Sequence, residues 1–396
     1  MSGRGLSEMG LARLHDVLAS QVASGAIPGI IALVARDGVA HVEVLGTKAL
    51  GDTEPLRRDD IFRIASLSKP IVAAAALVLV DEGTVRLDDP VQHLLPELAD
   101  RRVLRSLDAE LDDTVAAVRP ITILDLLTFR LGFGSIMAPA LTYPIQRAEE
   151  ELALATLRAP WPPPHSPDEW MRRFGSLPLM AQPGEQWMYN TGAQVLGVLV
   201  ERAAGKPLEA FLRERIFEPL GMHDTGFSVP PSKLDRFTTA YEPDPESGAL
   251  TVWDAVTDSY WRSPPVLPNA AGWLVSTIDD YWAFAQMFLP KDTHHGARII
   301  SDTSVELMLT DHLSSHQRSA ARLFLGEHGG WGLGMLVPAA AVDAPSIPGG
   351  FGWDGGTGTT WRSDLDRGIT GILFTQRAMT SPEPPAVFVD FWDCAY

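Results

Sequence analysis

The sequence predicts an α/β (α+β) fold: an antiparallel sheet flanked by helices, interrupted by an inserted, mostly helical stretch. Three observations carry this reading. Strand-like runs joined by Asp-Gly and Gly-rich turns occur near the start and again in the last third. Between them, from Gly83 to about Ala270, the pattern is mostly helix and loop. An almost wholly aliphatic helix, Ile71 to Val80, follows the first strands, so a buried element is central. The expected division is residues 1–83 with 271–396 as one α/β subdomain and 84–270 as the insertion, with the active site between them.

The elements follow in order. Ser7 caps a first helix with Leu11, Leu14, Leu18 and Val22 on one face and Gly25 at its end. Gly29 to Val34 and Val39 to Leu45 form a hairpin about Arg36-Asp37-Gly38. Ile61 to Ala65 is a strand running into Ser66 and the aliphatic helix, which stops at Gly83. Arg101 to Arg119 reads as a charged surface excursion. Ile121 to Phe129 is a helix capped by Thr122, and Val195 to Ala204 and Leu208 to Phe217 are two more. Ala159 to His165 is Pro-rich and aromatic, the kind of rigid loop that walls a pocket or connects elements at the surface. Thr238 to Thr257 is hairpin and loop. A helix over Thr277 to Leu289 opens with a capping-box-like Thr277/Asp280 pair. Gly330 to Leu336 is a strand. After a Gly-dense segment, Thr360 to Ser363 and Ile369 to Thr375 pair across Asp366-Arg367-Gly368. A helix over Pro385 to Ala395 ends the chain.

At 396 residues with 45% hydrophobic content, the chain has ample core for two subdomains. The formal charge of −18 argues against nucleic acid and anionic membranes as partners. A single cysteine, Cys394, excludes an internal disulfide. Met1 to Glu8 lacks the apolar core of an export signal, and no apolar run reaches the roughly 18 residues of a membrane span. The expectation is a cytoplasmic protein.

The chemistry concentrates in Ser66-Leu67-Ser68-Lys69. Ser66 at a helix start and Lys69 one turn on share a face. Free N–H groups at the helix start can bind an oxyanion formed by serine attack, and the ammonium eases deprotonation. Alone, Ser-x-x-Lys recurs by chance roughly once in such a chain, and a serine there also serves as an N-cap. Yet only five of the 32 basic residues are lysines, and only Lys69 follows a serine at this spacing. A lysine opening a buried helix needs a reason.

Two more segments complete a pattern. Tyr189-Asn190-Thr191 and Trp353-Asp354-Gly355 follow Ser66 to Lys69 in order, with Leu126-Leu127-Thr128, Pro183-Gly184, Gly221-Met222 and Ala271-Gly272 in support. Over roughly residues 10–395 the chain resembles the serine β-lactamase and penicillin-binding-protein-like hydrolases of the class C type, the family VIII carboxylesterases above all. The resemblance implies that Ser66 is a nucleophile carrying an acyl group and that Lys69 and Tyr189 exchange its proton. It implies an oxyanion hole from the backbone of Ser66 and Gly356, and substrate contacts at Trp353, Asp354, Gly355 and Thr191. A tyrosine beside an ammonium is expected to ionise more easily.

The departures are informative. Penicillin-recognising members begin the third motif with lysine, which holds a carboxylate; here that position is Trp353. Their second motif is Tyr-x-Asn, and here the third residue is Thr191, with Asn190 one place early. Both changes remove groups that grip a β-lactam or a D-Ala-D-Ala terminus. The expected substrate is a small-molecule ester or acyl donor, cleaved by hydrolysis or passed to an acceptor, with no cofactor; β-lactamase or D-amino peptidase activity is the alternative that the resemblance leaves open. A metal site at His294, His295, His312 and His316 lacks supporting ligands, and Gly-x-Ser-x-Gly is absent. His165 and His328 read as structural. Of the tryptophans, Trp161, Trp187, Trp273 and Trp353 lie in stretches expected near the site.

Overall fold

The computed structural model describes residues 6–154, 163–289, 297–339 and 350–395. Helix α1 (Glu8–Ala23) begins where the Ser7 hydroxyl accepts the Gly10 N–H. Strands β1 (Gly29–Arg36) and β2 (Val39–Gly46) form the expected hairpin. Asp37 and Gly38 both take positive φ, the requirement of the tight turn whose twist matches the strands. Short β3 (Phe62–Arg63) leads to helix α2 (Ser68–Asp81).

Beyond α2 lie β4 (Arg102–Leu104) and β5 (Thr114–Ala116), a small ribbon within the stretch read as an irregular excursion. Arg102, Arg105 and Asp113 of that stretch are exposed, whereas Arg101 is buried and donates to the Gly175 and Leu177 carbonyls. Helix α3 (Ile123–Leu127) carries a full capping box between Thr122 and Asp125. Helices α4 (Pro144–Glu151), α5 (Pro167–Gly175) and α6 (Thr191–Ala204) follow. Then come β6 (Ala240–Pro243) paired with β7 (Leu250–Asp254), and β8 (Val275–Ser276) paired with β3. The helix Ile278–Gln286 has only half a capping box: Thr277 accepts the Asp280 N–H, but the Asp280 carboxylate is taken by Asp224 N–H and the Thr225 hydroxyl.

The last strands are β9 (Gly329–Trp331), β10 (Leu336–Pro338), β11 (Phe351–Gly355), β12 (Thr359–Asp364) and β13 (Ile369–Thr375). The single strand expected over 330–336 is thus two, because Gly332 to Met335 close a turn. All pairings in the main sheet are antiparallel, in the order β2-β1-β13-β12-β11-β10-β9.

Alternation along β1 sorts its side chains between two cores. Ile30, Ala32 and Val34 pack with Leu14, Leu18, Phe388, Phe391 and Trp392 of the terminal helices. Ile31, Leu33 and Ala35 face the larger core that contains α2. Every residue from Ser68 to Leu79 is buried. Ala73 to Ala76 supply high helix propensity at no side-chain entropy cost, and Pro70 falls in the first turn, where its missing N–H is harmless. No helix among the described residues is long and apolar enough to cross a membrane.

Candidate active site

Ser66 stands in a 3-10 turn, Ala65–Leu67, between β3 and α2 rather than in the helix itself. Ala65 holds φ 43°, a left-handed conformation costly for a residue with a Cβ. The turn is clasped from the sheet side. Thr357 Oγ1 donates to the Arg63 carbonyl at 2.5 Å and Thr359 Oγ1 to the Ile64 carbonyl at 3.1 Å. From the other side, the Leu274 N–H donates to Ser68 Oγ at 3.1 Å.

Lys69 is 1% exposed. Its Nζ lies 2.7 Å from Ser66 Oγ, donates to the Ala271 carbonyl, and sits 4.5 Å from the centre of the Tyr189 ring. Both hydrogen-bond partners are uncharged, and burial pushes the ammonium well below its ordinary range. Desolvation thus shifts Lys69 toward the neutral amine, the form that can accept a proton.

Tyr189 reaches the same oxygen. Its hydroxyl donates to Ser66 Oγ at 2.8 Å and accepts the indole N–H of Trp353 at 3.0 Å. Burial pushes the phenol up to about 12, and the bonds from Ser66 and Trp353 offset only part of that. The expected easing of ionisation is overturned here: the neighbouring amine is itself driven toward neutrality, so desolvation dominates. The ring packs among Trp187 (5.8 Å between centroids), Phe324 (4.7 Å) and Trp353 (5.8 Å).

Tyr189 is aimed by a strained turn. Asn190 holds φ 84° and ψ −60°, and the Thr191 N–H bonds the Tyr189 carbonyl at 3.2 Å. That is a γ-turn of the rare positive-φ form. Helix α6 starts immediately after it, four residues earlier than the apolar pattern indicates.

A cavity of about 310 Å³ opens beside Ser66, and the backbone of Gly356 lines it as well. Trp253, Trp261 and Trp273 make an aromatic wall, with Trp261 stacked on Trp273 at 4.2 Å. Besides Ser66, Asn190, Asn269, Glu242 and Thr357 supply its polar side chains.

The other expected substrate contacts lie elsewhere. Trp353 is buried and bonded to Tyr189 instead of facing the cavity. Asp354 pairs with Arg362 at 2.8 Å and accepts the Thr360 hydroxyl at 2.5 Å, so its charge is already matched. Gly355 has no room for a side chain: a Cβ there would meet the Ile64 carbonyl. Its role is close backbone approach to the Ser66 turn. Thr191 is buried in the first turn of α6. None of the four lines the cavity.

Of the tryptophans expected nearby, Trp273 lines the cavity, Trp187 stacks on Tyr189, and Trp161 lies outside the described residues, as does most of the Pro-rich segment. His165 is bonded to the Leu152 carbonyl. His312 bonds the Leu307 carbonyl and precedes the helix Ser315–Ala320 that carries His316, so the two share no helical face. His294 and His295 lie outside the described residues. Sequence reasoning missed Glu242, Trp253, Trp261, Asn269 and Met379 as cavity residues. Only the clustering of tryptophans over 253–273 hinted at them.

Comparison with known proteins places this geometry in context. A family model described as Beta-lactamase matches residues 14–387. Esterase EstB from Burkholderia gladioli is 30% identical, over 94% of this chain and 92% of its own. Monacolin J acid methylbutanoyltransferase from Aspergillus terreus is 26% identical, over 90% and 88% respectively. Among solved structures, EstCE1, a hydrolase with promiscuous acyltransferase activity, superposes with a TM-score of 0.78 at 22% identity, covering 98% of this chain and 99% of its own, a likeness of fold.

Proposed function

We infer that this chain, which belongs to the beta-lactamase family, cleaves small carboxylic esters through an acyl group carried on Ser66. It is an enzyme of the serine-hydrolase type, with acyl-enzyme chemistry that serves hydrolysis or acyl transfer. The observation carrying the residue assignment is the convergence of Lys69 Nζ and Tyr189 Oη on one oxygen, Ser66 Oγ, at 2.7 and 2.8 Å, at the edge of an apolar cavity.

In this reading neutral Lys69 accepts the Ser66 proton as Oγ bonds the ester carbonyl carbon. The oxyanion is held by the backbone N–H groups of Ser66 and Gly356. When the carbon–alkoxy bond breaks, the proton passes through Tyr189 to the departing oxygen, leaving acyl-Ser66 and free alcohol. Water then attacks the acyl carbon and gives one proton to Lys69, the bond to Ser66 Oγ breaks, and that proton is handed to Oγ, releasing the carboxylic acid and restoring the serine. The site draws on both expected subdomains: Ser66, Lys69 and Gly356 from 1–83 with 271–396, and Tyr189 from 84–270.

Turnover of short-chain p-nitrophenyl esters tests the reading. Ser66→Ala should reduce it to background, and undiminished turnover in that variant removes Ser66 from the chemistry. A second reading, transfer of the acyl group to an alcohol or amine, is favoured by the tryptophan wall, which limits water beside the acyl group. It agrees with the activity named for the Aspergillus relative. Product analysis with competing alcohols separates the two.

A further inference from the structure

Among the described residues lining the cavity beside Ser66, one side chain is ionisable: Glu242, on β6. It is exposed, so it stands where the cavity meets solvent; its register partner on β7 is Thr251, and Trp253 of the same strand lines the cavity with it. Among the described residues no Lys or Arg side chain lines the cavity with it. Lys69 is buried behind Ser66, with its amine on Ser66 Oγ and the Ala271 carbonyl. The Arg63 guanidinium lies behind the wall, 5.2 Å from the Trp261 ring centre, and is neutralised by Asp254. The formal charge of −18 adds a long-range field of the same sign as Glu242.

We propose that Glu242 sets substrate charge, so that the cavity takes esters with a neutral, apolar body bearing a cationic amine and discriminates against those bearing a carboxylate. The proposal rests on the esterase reading above. The indole wall of Trp253, Trp261 and Trp273 supplies apolar area for the body, and the Glu242 carboxylate supplies the one ionic contact at the open end. An exposed ion pair of this kind changes binding by about two- to fivefold, and a carboxylate in the same place is repelled by a similar factor. The discrimination weakens with salt, since exposed charges are screened over about 8 Å at physiological ionic strength.

The test uses esters of matched size ending in trimethylammonium, tert-butyl or carboxylate. The charged group is placed on the alcohol in one series and on the acyl chain of a p-nitrophenyl ester in the other. In at least one series kcat/KM should fall from ammonium to tert-butyl to carboxylate, by about tenfold overall in low salt. Glu242→Gln should bring the ammonium-to-tert-butyl ratio to near one. Equal rates across both series, or a ratio retained in Glu242→Gln, overturn the proposal. Failure to turn over the tert-butyl ester speaks against the esterase reading instead. In that case calorimetric binding to Ser66→Ala decides: the trimethylammonium ester should bind more tightly than the tert-butyl ester, and equal affinities overturn the charge preference.

Discussion

Replacing Trp353 with phenylalanine keeps an aromatic ring against Trp331 (4.8 Å between centroids) and removes one atom pair, the indole N–H on the Tyr189 hydroxyl at 3.0 Å. Indole nitrogen only donates, so this bond leaves the phenolic proton directed at Ser66 and stabilises any negative charge on the phenol oxygen. A hydrogen bond to a neutral group is worth about 1 kcal/mol net and one to a charged group about 1.5–3 kcal/mol. The bond therefore favours the charged phenol by about 1 kcal/mol, and its loss pushes Tyr189 further up and slows proton relay by about five- to tenfold. Because Trp353 does not line the cavity, KM should barely move. The assay is steady-state kinetics on p-nitrophenyl butyrate, with a thermal melt to confirm folding. Unchanged kcat, or a KM that rises in step with the lost activity, would refute the reasoning and return Trp353 to the substrate.

Other outcomes follow from the same geometry. Lys69→Met should abolish turnover by about a thousandfold, the scale of a lost general base, while raising stability at neutral pH. The sign is fixed by burial: with the folded-state value depressed, the unfolded lysine binds a proton that the folded one sheds, so stability climbs with pH toward the ordinary lysine value near 10.4. Urea denaturation from pH 7 to 10 should show that climb in the wild type and a reduced one in Lys69→Met; equal slopes contradict it. Asp254→Ala strands the Arg63 guanidinium, which burial already drives down to about 10, and should cost about 3–5 kcal/mol in urea denaturation. A loss below 1 kcal/mol would mean that the pair is solvated.

The parts legible in the sequence are those set by local chemistry. Asp37-Gly38 announces its hairpin through two positive-φ residues, and Ser7 and Thr122 announce helix starts through their hydroxyls. The order of Ser66, Lys69 and Tyr189 indicated which side chains to look for together. Contacts made by residues far apart in the chain were not legible. Glu242 and Trp253 reach the Ser66 cavity only because the β6–β7 ribbon folds beside it. Trp353 was expected on substrate by analogy with a lysine, yet motif position does not fix where an indole N–H points. The start of α6 was misread because a strained γ-turn at Asn190 leaves no hydrophobic signature.

The central claim is that an acyl group resides on Ser66 during turnover. Intact mass spectrometry after rapid quenching with a slowly deacylating ester measures it directly. The predicted result is one added acyl mass, mapped by peptide digestion to Ser66 and missing from Ser66→Ala. An enzyme that turns the ester over while an adduct maps to another residue, or persists in Ser66→Ala, would contradict it.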